Sequence, residues 1–406
     1  MSELALDDQM SGDRLAKRNA LVLACAQAIG GANAPIAISM GGLSGLYLLD
    51  TDKSLATLPV TCFVLGTALT TIPAAAIAKR FGRPPAYLFG ALVSMGAGAL
   101  AAYSLFQSNF LLFCIGLLVS GATNAFAQQY RFAAADTASD PLKPKVISWV
   151  LAGGVVTGVV GPQAAIHTKD VFLPVPYAGA FIAQIGLAAV AMLILTFLHA
   201  PKISSHEIAG TSRPLARIVA QPRFIVSVIC AIGSYALMSL VMTAAPIAMA
   251  ACGHSPTDST WGIQWHVIAM FAPSFFTGHL ISRFGAERVV AVGLVLLGLC
   301  AVIALSGIDV AHFWAALILL GVGWNFGFIG ATSMVTSTYA PAERAKVQAI
   351  NDFLVFGFVA AASLSSGILQ NAFGWDVVNY TVFPVIVLCF AMLGWLKLSK
   401  RGTGVA

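Results

Sequence analysis

From Phe110 to Ser120 the chain reads FLLFCIGLLVS, without one side chain that must be hydrated, and runs of this kind recur along its whole length. Such a segment has few structural options. In a bilayer no water satisfies backbone N–H and C=O groups, so a single segment closes its own hydrogen bonds only as a helix. Crossing roughly 30 Å of hydrocarbon at about 1.5 Å per residue takes about 20 residues. Polar clusters mark off twelve runs of that order, at 19 to 40, 55 to 78, 85 to 106, 109 to 132, 146 to 167, 177 to 199, 223 to 250, 261 to 282, 288 to 307, 311 to 335, 346 to 369 and 377 to 397. Only 9% of residues are charged and mean hydropathy is +0.86, whereas soluble domains carry about 25% charge. The expectation is an all-α integral membrane protein with twelve transmembrane helices.

Basic residues set the orientation, because short cytoplasmic loops retain Lys and Arg. With the N-terminus inside, twenty of the 22 basic residues fall on the cytoplasmic side, and Lys53 and Lys169 fall outside. A miscounted span would scramble this alternation. The net charge of +6 is therefore a topology signal, and no nucleic-acid partner is expected. The start KRNALVLACAQA imitates a signal peptide, but its apolar run before Cys25 is too short for one. The seven cysteines lie singly, without metal or redox spacing, so neither a metal site nor a disulfide framework is expected. No GxxxxGK[ST] loop is present, which argues against ATP-driven pumping by this chain.

The chain also echoes itself. AKRFGRPPAYLFGALVSMGAGALA from Ala78 resembles ISRFGAERVVAVGLVLLGLCAVIA from Ile281, an offset of 203. LLVSGATNAFAQ from Leu117 resembles LLGVGWNFGFIG from Leu319, now at an offset of about 201, which pairs Asn124 with Asn325. PLKPKVISW from Pro141 faces PAERAKVQAI from Pro341, and AIGG from Ala28 faces AIGS from Ala231. Two diverged six-helix halves follow, with the domains expected as a cytoplasmic tail 1–18, a bundle 19–199, a linker 200–222, a bundle 223–397 and a tail 398–406.

Twelve spans in a 6+6 pseudo-symmetric repeat, with AKRFGRPP after span 2 and SRFGAER after span 8, resemble the major facilitator superfamily (MFS). The family signature in that loop has the form G-x-x-x-D-[RK]-x-G-R-[RK]. Arg80, Gly82 and Arg83 match it, while Ala75 and Lys79 replace the first Gly and the Asp; the second copy keeps Gly278, Arg283 and Gly285. The lost Asp removes the family's usual acidic partner from that gate loop. The buried Arg of proton-coupled drug exporters is Leu117 here, and their span 5 signature is incomplete around Gly158, Gly161 and Pro162. QQYRFAAAD with SWVLAGGVVTGVVGP is similar to a branch of alpha-proteobacterial transporters, some assigned to riboflavin uptake.

The resemblance implies alternating access around a midplane cavity lined by spans 1, 4, 7 and 10, and directs attention to polar and aromatic residues there. Ser120, Asn124, Gln128 and Arg131 fall on one helical face of span 4. Asn124 reads as a cavity wall or a helix-to-helix hydrogen bond, and Arg131 as a snorkelling anchor or a cavity charge. Gln27 and Asn33 flank Gly30 and Gly31 in span 1. Tyr235 in span 7, Gln264 and Trp265 in span 8, and Trp324, Asn325 and Phe328 in span 10 complete the substrate candidates. Rings with amides between them suit a flat, conjugated solute, although packing explains each ring equally well. Trp261, Trp314 and Trp375 read as an outer interfacial belt. Asp352, two turns into span 11, is the candidate for proton coupling, or else a partner of Arg344 or Lys346; His266 is a weaker candidate.

The reading is a monomeric transporter of the bacterial inner membrane, with both termini cytoplasmic. It moves a small organic, flavin-like solute, with protons or by uniport, and has no cofactor, catalytic residue or enzymatic activity. An exporter of drugs or metabolites shares the fold, and a membrane sensor or enzyme is the remaining alternative.

Overall fold

Proline and glycine decide where the long apolar runs break. The computed structural model describes residues 3–49, 52–135, 138–139, 142–199, 213–340 and 343–402. Span 1 is two helices, α1 (Glu3–Gly30) and α2 (Asn33–Leu48). Pro35 has no amide hydrogen to give the Gly31 carbonyl, which takes that of Ala34 at 3.1 Å, and the helix is interrupted at Gly31 and Ala32. The apolar helical stretch covers Gly12–Leu48, so helix begins well before residue 19, where the sequence reading placed the membrane entry.

The first half continues with α3 (Leu58–Phe81), α4 (Arg83–Phe106), α5 (Phe110–Ala127), α6 (Tyr130–Ala135), α7 (Lys143–Thr168) and α8 (Ala178–Leu195). The second holds α9 (Leu215–Val219), α10 (Pro222–Ala251), α11 (Pro256–Phe271), α12 (Ser274–Phe284), α13 (Ala286–Ser306), α14 (Val310–Thr336), α15 (Arg344–Tyr380) and α16 (Val382–Gly402). The described residues form two compact units, α1–α8 and α9–α16, with the segment 52–57 grouped in the second. Of the expected linker 200–222, residues 200–212 lie outside the described residues, and the rest attaches to the second unit.

Ten described stretches are long and apolar enough to cross a membrane, and α11 with α12, bent by 43° at Ala272 and Pro273, makes an eleventh. The last of the ten, Lys346–Ser399, has 54 residues. At about 1.5 Å per residue it is more than twice the hydrocarbon thickness, and it breaks at Gly374, where φ is 81° and ψ is −177°. It therefore holds two crossings, for twelve in all.

Gly82 (φ 94°, ψ 160°) joins α3 to α4, and Gly285 (φ 87°, ψ 148°) joins α12 to α13. Both lie in or at the edge of a backbone region essentially reserved for glycine. Their hydrogen bonds also agree: Gly82 N–H to Ala78 and Gly285 N–H to Ile281, then Ala86 N–H to Gly82 and Val289 N–H to Gly285, both of the latter at 3.3 Å.

Inside each unit, small residues let helices touch backbone to backbone. A Cβ at Gly121 would stand 1.8 Å from the Phe63 carbonyl oxygen, and one at Gly66 1.9 Å from that of Leu118, so α3 and α5 meet at glycine. In the second unit Gly321 serves the same crossing, 2.5 Å from the His266 oxygen. Two cysteine pairs read as isolated in the sequence meet across helices as free thiols, Cys62 with Cys114 and Cys230 with Cys389.

Candidate functional site

In the first unit the amides knit helices together. Asn33 begins α2 and is buried; its Nδ2 donates to the Ser120 carbonyl (3.0 Å) and Thr123 Oγ1 (3.1 Å), and its Oδ1 accepts from Ser120 Oγ (2.6 Å). Gln184 of α8 donates from Nε2 to the same Ser120 hydroxyl at 3.1 Å. These bonds tie α2, α5 and α8 together away from water, and of these amides Gln184 alone leaves an atom, its Oε1, buried without a partner among the described residues. Asn124 reaches Thr67 Oγ1 of α3 at 3.4 Å, which is the helix-to-helix reading. A cavity of about 30 Å³ beside Asn33, Ser94, Thr123 and Asn124 has room for water and none for an organic solute.

The expected stripe on span 4 is not one helical face. Helix α5 ends at Ala127, Gln128 caps it and is exposed, and Arg131 lies half-buried on α6 beyond the turn at Gln128 and Gln129. Gln27 is half-buried on α1, and its backbone carbonyl accepts from Thr157 Oγ1 at 2.6 Å.

The second unit brings rings together instead. Tyr235 of α10 packs edge-on against Trp324 (5.3 Å between centroids) and Phe328 (4.9 Å) of α14, and against Phe356 of α15 (5.7 Å). Trp324 and Phe328 stack at 5.3 Å with planes 18° apart, one helical turn from each other. Three of the four were expected. Phe356 carries no signal in the sequence, because a single Phe in an apolar span reads equally well as facing lipid. The indole N–H of Trp324 and the hydroxyl of Ser234, which packs on Gly327, the residue before Phe328, are buried without a hydrogen-bond partner among the described residues. A buried donor left unpaired costs about 1–3 kcal/mol. The cluster therefore offers flat apolar faces together with one indole donor.

Asn325, next in sequence to Trp324, points elsewhere and is fully buried. Its Nδ2 donates to the Met270 carbonyl (2.6 Å) and Ser274 Oγ (2.7 Å), and its Oδ1 accepts from Thr277 Oγ1 (2.6 Å). These partners bracket Pro273, so Asn325 satisfies the polar groups freed where α11 breaks from α12. Gln264 is buried, but Trp265 is 39% exposed and stacks on Trp261 at 6.5 Å, away from the ring cluster. His266 is fully buried with Nδ1 on the Leu317 carbonyl at 2.8 Å, a contact between α11 and α14 rather than a cap on an outer vestibule. Trp375, read as interfacial, is buried and donates to the Ala304 carbonyl at 3.1 Å.

Asp352 is half-buried on α15 and accepts from Asn351 Nδ2 at 3.0 Å. Lys346, one of its expected partners, donates to the Arg213 carbonyl at 2.6 Å, and the Arg344 side chain lies outside the described residues. In the gate loops Arg80 stands over Phe81 at 5.4 Å and Arg283 over Phe284 at 5.3 Å. Arg83 donates to the Tyr87 hydroxyl at 3.0 Å, and that hydroxyl lies 3.4 Å from the Gln129 carbonyl.

The model of the Major Facilitator Superfamily matches this chain twice in succession, over residues 19–232 and 227–405. The chain belongs to the major facilitator superfamily. This superfamily member is a multi-pass membrane protein and not an enzyme. Over 395 residues it is 51% identical to the riboflavin transporter RfnT of Brucella anthropi, covering 97% of this chain and 99% of the other. It is 28% identical to the uncharacterized MFS-type transporter YddS of Bacillus subtilis, over 96% of this chain and 93% of that one. Among solved structures it resembles the nucleoside transporter NupG, with a TM-score of 0.70 and 15% identity over 93% of this chain and 99% of that one, a likeness of fold.

Proposed function

We propose that this superfamily member is a riboflavin importer of the bacterial inner membrane, working as a monomer by alternating access with both termini in the cytoplasm. The identity of 51% with a riboflavin transporter over nearly the whole of both chains carries this reading. The ring cluster supports it independently. A flavin is a planar, fused heteroaromatic with ring carbonyls, and Tyr235, Trp324, Phe328 and Phe356 supply faces and edges, each aromatic pair contributing about 0.5–1.5 kcal/mol beyond burial. The unpartnered Trp324 N–H is a donor for a flavin carbonyl. Gln27, Gln128, Arg131 and Gln264 remain secondary candidates, and Asn33, Asn124 and Asn325 act as the staples that hold the bundle's shape. Asp352 is the carboxylate through which a proton would couple; Asp352→Asn then abolishes the pH dependence of uptake, and an unchanged profile favours uniport.

Radiolabelled riboflavin supplied to a flavin-auxotrophic host expressing the chain tests the proposal. Saturable uptake and growth at limiting riboflavin are expected; neither appearing in cells that make the protein removes the assignment. Accumulation in inside-out vesicles would reverse the direction.

A further inference from the structure

Outside the ring cluster, the second unit carries a surface groove between α12, α13 and α14. It encloses about 410 Å³ and is lined by Leu280, Phe284, Val289, Val292, Phe326 and the stem of Arg288. Its volume falls within the roughly 300–1,000 Å³ typical of small-molecule sites. Phe284 and Val292 are 45% and 50% exposed, and all three helices belong to membrane-crossing stretches, so the groove opens to lipid chains. Two cations stand at one end. Arg283 lies over the Phe284 ring at 5.3 Å, and Arg288 stands exposed in the first turn of α13. The nearest carboxylate in sequence, Glu287, is turned toward Arg223 at 2.8 Å. This is the side of the membrane where basic residues collect.

The repeat provides an internal control. At the 203-residue offset Arg288 corresponds to Pro85 and Val292 to Phe89, and the larger Phe89 ring packs edge-on against Phe126 at 6.2 Å. The first unit thus has no cation at the position of Arg288, and a large ring where Val292 leaves the groove open.

We propose that this groove seats one anionic phospholipid, with an acyl chain along Phe284, Val292 and Phe326 and its phosphodiester between Arg283 and Arg288. Long cationic side chains at an apolar edge suit this arrangement, since their stems cover the chain while the guanidiniums reach the headgroup. The lipid also lies against α12, just beyond the bend at Pro273.

Native mass spectrometry of the purified full-length protein tests the site, with phosphatidylglycerol, phosphatidylcholine or free glycerol phosphate added. One phosphatidylglycerol is expected to be retained in preference to phosphatidylcholine. Each of Arg288→Gln and Arg283→Gln should weaken that retention about five-fold, as befits one cation near a lipid surface. Val292→Phe, which keeps both arginines, should weaken it by a similar factor. Equal retention of the two lipids, displacement of the lipid by glycerol phosphate at equal concentration, or undiminished retention in Arg288→Gln and Val292→Phe would each overturn the proposal.

Discussion

The two halves of this transporter keep the same joints and fill them with different chemistry. Gly82 and Gly285 share a backbone conformation and a hydrogen-bond pattern, and Gly121 and Gly321 both admit a neighbouring carbonyl. The amides paired by the repeat do not agree so closely. Asn124 makes one long bond to Thr67, whereas Asn325 makes three short ones around the broken α11–α12 span. The loops between spans 4 and 5 and spans 10 and 11 are each held by a residue preceding the first span of their unit, with reversed polarity. Asp13 accepts from the Ser139 amide and hydroxyl, while Arg213 donates to the carboxylate of Glu343. A buried polar group can be satisfied in many ways, but a glycine-only backbone has one solution, so divergence shows in the first and not in the second.

Helix crossings give the largest expected contrast. Gly121→Val forces a side chain into a carbonyl 1.8 Å from its Cβ position, against 2.5 Å for Gly321→Val. The first should cost about 3 kcal/mol or more and remove the protein from the membrane fraction, with the second leaving a measurable folded pool by fluorescence size exclusion. Equal losses would mean the two crossings are equally tight.

Next come the paired amides. Asn325→Leu strands buried partners at Thr277, Ser274 and Met270 and should destabilise the detergent-solubilised protein by about 1–3 kcal/mol. Asn124→Leu should cost about 0.6 kcal/mol, the average for hydrogen bonds between membrane helices. Thermal unfolding of both variants checks the difference, and a reversed order would break it.

For transport the contrast runs between rings and amides. Trp324→Ala should raise the KM for riboflavin about ten-fold, the equivalent of about 1.4 kcal/mol, with Asn124→Ala changing it little. A matching rise in both would move the substrate site into the first unit.

The smallest effect concerns the loop latch. Hydrogen bonds from the Arg213 guanidinium, helped by the Ala340 amide, hold the Glu343 carboxyl at about 2, well below its ordinary 4.5. The unfolded chain therefore binds this proton first as pH falls. The latch's contribution is complete above about pH 4.5 and is lost on the way to pH 2. Melting temperatures between pH 6 and pH 3 should fall less steeply in Glu343→Gln than in the native chain.

Much of this was legible in the sequence because it is one-dimensional. Span length, basic loops and the RFG repeat need no partner to be read, and they locate twelve crossings and both glycine joints. Contacts across the chain are another matter. Asn33 and Ser120 are 87 residues apart, and Arg213 and Glu343 130; nothing local announces either pair. Neighbours also mislead. Gln264 and Trp265 read as one polar-aromatic motif, but successive helical residues point about 100° apart, and the structure buries one and exposes the other. Trp375 has the position of an interfacial residue, yet Ala304 offers its indole a carbonyl indoors.

Gly374 completes a set with Gly82 and Gly285. Each is a coupling one residue long, held in a backbone pose that a side chain with a Cβ would strain. Spans 2 and 3, 8 and 9, and 11 and 12 are thereby joined with almost no intervening chain, whereas spans 5 and 6 are separated by the longer segment between Thr168 and Ala178. The distance that the two ends of such a pair can separate is thus set by one residue, and a substitution at any of the three glycines acts on the turn itself rather than on a loop that could absorb it.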